Sequence, residues 1–355
     1  MLVARRGGWR RLGSSPRFRY VDARGDPVNA GEQLERIRAL VIPPAWRDVW
    51  ISPNPSAKLQ ATGVDKAGRR QYLYHESYRA AQEQAKFDRL VRFGELLPQL
   101  RRRMNAHLDL GPYEREWVCA VAVTLVNRAW FRVGSDRYAR ESRTYGITTL
   151  AKRHASVRGS RVTFRFHAKH RVLVRTTVVD DDLAAAVRAL LDLPGGSRLF
   201  RFEREGEPAN VTGSLLNEYI AEHLAPGFTA KDFRTWGGTL AAAIAFAEHG
   251  PPASEAEERR VLAAVMRKVG AELGNTASVA RSAYVSPAVI GQWREGRTLD
   301  DFRDRRRRVV TGRQRGLLPE EKALLSLLRS WRVRRSRARR PASRPRARRR
   351  RSLRR

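Results

Sequence analysis

The chain has 355 residues, 42% of them apolar, and 71 Lys and Arg against 36 Asp and Glu, for a formal net charge of +35. That length exceeds one compact core and allows two domains with extensions. The charge excludes an ordinary enzyme of neutral metabolites and calls for a polyanionic partner, nucleic acid before an anionic membrane.

Residues 1–15 are rich in Arg, Gly and Ser and read as a flexible N-terminal segment. Residues 18–23 predict a strand, 22–26 its turn, and a short helix capped near Asn29 follows until Pro43 and Pro44 stop it. Residues 49–52 suggest another strand, and 58–64 with 70–75 flank Asp65-Lys66-Ala67-Gly68 as a hairpin. Residues 16–86 therefore form a small β-rich module.

From Glu76 the pattern turns helical. Residues 114–131 are apolar on nearly every side, as a buried helix requires, and Gly134 is placed to end it. Three strands are expected next, at 146–150, 161–168 and 171–179; in the second, Val162, Phe164 and Phe166 alternate with polar residues. The tight connection between the last two contains Lys169, which continues the polar parity of Arg161, Thr163, Arg165 and His167.

Asp180, Asp181 and Asp182 precede an apolar helix at 183–193, which is capping chemistry rather than a metal site. Thr229 with Asp232 reads as a capping box opening a helix that carries Arg234 and ends near Gly250. Ser286-Pro287 is an N-cap and N1 pair, so Tyr284 falls at a junction between two helices.

The domain organisation that follows is 1–15, 16–86, 87–315 and 316–355. The fold class is α+β: a β-rich module, then a larger mainly helical domain holding a three-stranded antiparallel sheet, then a helix passing into an arginine-rich tail. Residues 331–355 hold 14 arginines and no acid; subtracting them still leaves +21, so the body itself is basic. The Ala-rich run 239–247 is too short to span a bilayer and the sequence shows no signal-peptide pattern. One cysteine, Cys119, excludes a disulfide framework and a cysteine-ligated zinc site. A cytoplasmic, nucleoid-associated protein is expected.

Three cations, Arg132, Lys169 and Arg234, each stand at a distinctive joint, and Asn275 lies nine residues before Tyr284. A phenol with a reference pKa of about 10 is only about one part in a thousand phenolate near neutral pH, so as a nucleophile it needs cationic neighbours. Guanidinium groups supply fixed, planar donors for two phosphate oxygens. A lysine on a hairpin can protonate a leaving 5′ oxygen. Any one cation among 71 is most simply solvated; the order of the set is what distinguishes these.

That order, Arg132, Lys169, Arg234, Asn275, Tyr284, resembles the catalytic pentad of type IB DNA topoisomerases, in the compact poxvirus-like branch found in bacteria. The resemblance rests on Phe131-Arg132-Val133-Gly134 followed by Tyr138, on Phe166-His167-Ala168-Lys169, on Lys231-Asp232-Phe233-Arg234-Thr235-Trp236, and on the segment from Asn275 to Tyr284. It implies Tyr284 as nucleophile, Arg132 and Arg234 as transition-state stabilisers, Lys169 as general acid and Asn275 as a phosphate hydrogen-bond donor. It implies also that Gln71, Tyr72, Tyr74 and Tyr138 touch DNA and that the two domains clamp a duplex.

At Asn275 many relatives carry histidine; an amide still donates a hydrogen bond but cannot become charged. The activity implied is relaxation of supercoiled duplex DNA through a 3′-phosphotyrosyl intermediate by a monomer. Neither nucleotide nor metal is expected, since no GxxxxGK[ST] loop occurs and His167 with His170 lack further ligands. A tyrosine recombinase is the alternative, although it normally has histidine where Lys231 stands. A non-enzymatic nucleoid binder is the second, and charge alone would not give it the motif order.

Overall fold

The computed structural model describes residues 7–303 and 314–338. The chain divides into two compact units, 1–86 and 87–355, with the boundary inside one long helix.

In the first unit a five-stranded antiparallel sheet runs in the order β2-β1-β3-β4-β5. Its strands are β1 (Trp9–Ser14), β2 (Arg17–Val21), β3 (Arg47–Ile51), β4 (Leu59–Val64) and β5 (Arg70–Tyr74), with helix α1 (Gly31–Ala39) between β2 and β3. Buried Trp9, Val28, Ile37, Val49, Ile51 and Ala61 form its core.

Two expectations fail here. The segment before Pro16 is not loose at Trp9–Ser14: Trp9 is drawn into the core and β1 pairs with both β2 and β3. Within it, Arg11 donates to the carbonyl of Trp46 at 2.6 Å. Helix α1 starts at Gly31 after Ala30, with no side-chain cap, rather than from Asn29. The β4-β5 hairpin forms as expected, its turn closed by the Asp65 carboxylate accepting from the backbone N–H of Ala67 and Arg69 at 2.9 and 3.0 Å.

The second unit is mainly helical. Its elements are α2 (Glu76–His107), α3 (Arg115–Ala129), α4 (Asp136–Glu141), strands β6 (Ala155–Arg158), β7 (Arg161–His167) and β8 (Leu173–Val179), and α5 (Asp181–Asp192). A ribbon that the sequence pattern does not announce follows, β9 (Arg201–Arg204) with β10 (Glu207–Asn210). Then come α6 (Gly213–His223), α7 (Ala230–His249), α8 (Glu255–Leu273), α9 (Ala277–Val279), α10 (Pro287–Arg294) and α11 (Pro319–Ala338). Among the described residues no helix is long and apolar enough to cross a membrane.

Helix α3 is buried from Trp117 to Val123 and again at Leu125 and Val126. It ends at Ala129, earlier than Gly134, because Trp130 takes a left-handed conformation with φ of 52°. The three-stranded antiparallel sheet is present in the order β6-β7-β8, but its first member is β6 and not 146–150. That stretch is a 3-10 turn, since Gly146 sits against the backbone of the Arg132 segment: a Cβ there would meet the Arg132 carbonyl oxygen at 2.5 Å. The N–H groups of Ile147 and Thr148 instead bond to the carbonyls of Arg132 and Val133, each at 2.8 Å.

The expected caps hold. Asp180 accepts from the Leu183 N–H at 2.8 Å, the Asp232 carboxylate accepts from the Thr229 N–H at 2.9 Å, and Ser286 caps α10 with Pro287 following. Helix α11 is no appendage: Leu324, Leu325, Leu327 and Leu328 enter the core of the unit. Its Glu321, buried, takes both terminal nitrogens of Arg101 on α2 at 2.7 Å. The rest of the arginine-rich tail, 339–355, lies outside the described residues.

Candidate active site

Four of the five residues singled out in the sequence meet around the C-terminus of α8. That helix stops at Gly274, which adopts φ of 60°, and the N–H of Asn275 turns back to the Gly270 carbonyl at 2.7 Å. The last carbonyls are thereby left to outside donors, and they carry the negative end of the helix dipole.

Arg234, one turn inside α7 and 5% exposed, gives one terminal nitrogen to the Leu273 carbonyl at 2.7 Å and the other to the Trp130 carbonyl. The left-handed turn at Trp130 aims that carbonyl, and Gly237 makes room for the Trp130 indole, which a Cβ would meet at 2.2 Å. Arg132 donates from Nη2 to the Gly274 carbonyl at 2.9 Å and to Asn275 Oδ1 at 2.7 Å. One helix end thus holds two like-charged groups side by side.

These partners are dipoles, so the positive charge of the pair is not cancelled. Neither guanidinium forms an ion pair with a carboxylate among the described residues, and Arg234 Nε is buried without a hydrogen-bond partner. Burial, then repulsion from Arg234, lowers the proton affinity of Arg132 from its usual value, while Tyr284 opposes that shift. A cationic pair with one member buried and no carboxylate bonded to either is a site for an oxyanion.

Tyr284 is brought to this pair by a π-helical turn, Ala280–Tyr284, continuing α9. Turns of this kind recur at functional sites. Its ring centroid lies 5.1 Å from the Arg234 guanidinium carbon. Gly238 on α7 permits the approach, because a Cβ there would meet Tyr284 Cβ at 3.0 Å and Leu273 Cδ1 at 2.9 Å.

The neighbouring Thr239, fully buried, donates to the Tyr284 carbonyl at 2.9 Å and accepts from the Ser286 N–H at 3.1 Å. Burial pushes the Tyr284 phenol up, but the charge of Arg234 and hydrogen bonding by it, with the charges of Arg132 and Lys231, outweigh this and hold the hydroxyl below its usual value.

Asn275 has a further part beside the one expected of it, and one of its two Nδ2–H groups is not used by the contacts that follow. Its Oδ1 is occupied by Arg132, and Nδ2 donates to the Leu273 carbonyl at 3.1 Å, so the amide braces the arginine. Lys169 is exposed at the tip of the β7-β8 hairpin and makes no hydrogen bond or ion pair among the described residues. The structure does not place it against Tyr284. It does bring the hairpin to the site, since Val172, Gly274, Arg132 and Arg234 line one cleft of about 410 Å³. His170 and Arg171 in that tip hold φ of 63° and 59°, left-handed values that cost energy in non-glycine residues.

The remaining residues are dispersed. Tyr72 and Tyr74 stand on one exposed face of β5 with ring centroids 6.3 Å apart. Gln71 falls on the other face and donates to Asp65 at 2.8 Å. Tyr138 is exposed on α4 beside the Arg137 guanidinium.

Two contributors were given no part in the chemistry from the sequence. Lys231 acts on the phenol by charge, and its signal was its place three residues before Arg234. Thr239 is the lone hydroxyl opening the Ala-rich run of α7. Among the described residues no group of three or more His, Cys, Asp or Glu could hold a metal ion.

Comparison with known proteins places the whole chain rather than its single residues. The family profile described as "Eukaryotic DNA topoisomerase I, catalytic core" matches residues 75–295, and "Bacterial DNA topoisomerase IB, N-terminal domain" matches 17–65. The chain is 31% identical over 262 residues to the "DNA topoisomerase 1B" of Acanthamoeba polyphaga mimivirus, covering 72% of this chain and 78% of that protein. It is 24% identical over 246 residues to the "DNA topoisomerase 1B" of Vaccinia virus (strain Copenhagen) and to the "DNA topoisomerase I" of Monkeypox virus, covering 68% of this chain and 75% of each.

Proposed function

This chain belongs to the type IB DNA topoisomerases, with the bacterial N-terminal domain ahead of the catalytic core, and from that premise we propose that Tyr284 is the nucleophile through which it relaxes DNA. The observation that carries the assignment is the Tyr284 ring lying 5.1 Å from Arg234, with Arg132 tied to the same helix end.

The phenolate oxygen of Tyr284 attacks phosphorus, the bond from phosphorus to the 5′ oxygen breaks, and a 3′-phosphotyrosyl ester forms. Arg132 and Arg234 bind the non-bridging oxygens and gain strength as negative charge builds on them. Lys169 delivers the proton that the departing 5′ oxygen needs, and the hairpin tip swings it inward when DNA is bound. After the free 5′ end has rotated about the intact strand, the 5′ hydroxyl attacks the ester and Tyr284 leaves. The ester conserves the bond energy, so no nucleotide enters the balance, and a monomer suffices. Tyr72, Tyr74 and Tyr138 serve as DNA contacts.

The test is supercoiled plasmid incubated with protein in EDTA without ATP and quenched with detergent. Relaxed topoisomers and protein attached to a 3′ end are expected, and Tyr284→Phe is expected to bind DNA while leaving supercoils intact. Normal relaxation by that variant would remove Tyr284 from the role. Exchange between two duplex sites, rather than simple relaxation, would favour a recombinase.

A further inference from the structure

The outer face of the β6-β7-β8 sheet carries charge that the fold does not need. Strand register stacks it in rows: Arg158 lies opposite Arg161, Ser156 opposite Thr163 and Thr163 opposite Thr177, then Arg165 opposite Arg175, then His167 opposite Leu173. The inner face is Val162, Phe164 and Phe166, buried in the core, so all these residues point outward by parity. The four arginines are exposed, and among the described residues none has an ion pair or hydrogen bond.

No carboxylate stands in any of these rows. The nearest acids in the chain, Asp180 to Asp182, follow β8, and Asp180 is occupied by Arg128. Like charges directly opposite across a ladder destabilise it. Two such pairs, with hydroxyls between them, are therefore a feature retained against the stability of the sheet.

We propose that this sheet face is a phosphate-binding track for the duplex, continuous with the Lys169 tip. Strand β7 ends at His167, and Lys169 follows in the 3-10 turn at the hairpin tip. From Arg161 to His167 the strand spans about 20 Å at about 3.3 Å per residue, or about six phosphates at 3.4 Å per strand step. Arginine and hydroxyl side chains position the DNA backbone, so the track fixes the register of DNA without reading its sequence. The inference rests on the reading of the chain as a DNA-cleaving enzyme, and it adds to the five active-site residues the arginines and hydroxyls of the sheet face.

The experiment measures binding of a duplex to the full-length protein across a salt series. Arg165→Gln with Arg175→Gln should reduce the magnitude of the slope of log K against log salt by about 1.8, or about 0.9 for each phosphate no longer neutralised. Arg158→Gln with Arg161→Gln should do the same. Exposed arginines elsewhere, Arg204→Gln with Arg259→Gln, should leave the slope at its wild-type value. Thermal unfolding of the same samples should show the sheet variants at or above the wild-type Tm, because opposed like charges are removed. An unchanged slope in both sheet pairs, or an equal fall in the control pair, overturns the track. Failure of the wild type to form a covalent DNA adduct would instead overturn the assignment of Tyr284, whatever the slopes show.

Discussion

Asn275 Oδ1 accepts a hydrogen bond from Arg132 Nη2 at 2.7 Å, so the amide aims an arginine. Asn275→Ala should slow single-turnover cleavage by about ten- to a hundredfold, the value of about 1.5–3 kcal/mol for a hydrogen bond to a charged group. Asn275→Asp keeps the acceptor but neutralises Arg132 and repels phosphate, so it should be slower still. Equal rates for Asp and Asn would show that Arg132 is aimed by Gly274 alone.

The pH dependence of cleavage should report on Tyr284. Its phenol lies below its usual value because the cationic neighbours outweigh burial. Cations favour the phenolate, so removing one moves the phenol back up. Lys231→Gln should therefore shift the rising limb of the pH–rate profile to higher pH at constant ionic strength, with less phenolate at every pH below it. A profile that stays in place would remove Lys231 from the field acting on the nucleophile.

Lys169→Ala should slow cleavage of an ordinary 5′-oxygen substrate far more than that of a 5′-thio substrate, whose leaving group needs no proton. Comparing the two rates separates an acid from a phosphate ligand, for which both would fall equally.

Thr239 fastens the nucleophile to the helix that carries Arg234, with its hydroxyl between the Tyr284 carbonyl and the Ser286 N–H. Thr239→Val conserves volume and leaves two buried backbone groups unpaired, so a loss of about 1–3 kcal/mol in unfolding free energy is expected. Cleavage should slow with it, and Thr239→Ser should restore both. Restoration of stability without restoration of rate would separate the hydroxyl from the placement of Tyr284.

Glu321 and Arg101 form a buried pair, with side chains 5% and 3% exposed. Glu321→Gln should cost about 3–5 kcal/mol, since it strands a buried guanidinium. Truncation after Ala338 removes ten arginines and should weaken non-specific DNA affinity and flatten its salt dependence while leaving Tm unchanged. A cut ahead of Trp331 is different, because that indole packs on Gly291, where a Cβ would meet it at 2.6 Å. Denaturant unfolding of the three proteins checks the ordering.

Local chemistry was legible in the sequence because its causes lie within a few residues. The Asp65 turn, the Asp180 and Ser286 caps and the alternation from Val162 to His167 are each decided by neighbours in the chain. What the sequence left open depended on contacts between distant segments. Strand β1 exists because Trp9 reaches the first unit's core, residues 146–150 turn because Gly146 meets the Arg132 backbone, and α11 is structural because Glu321 finds Arg101.

The site shows the same division. Residue types announced a phosphate-handling cluster, but only the fold placed two guanidiniums on the open carbonyls of α8 and turned Asn275 toward one of them. Backbone carbonyls are the same in every residue, so a sequence cannot say which ones a chain will leave unpaired; that is settled when helices end against one another.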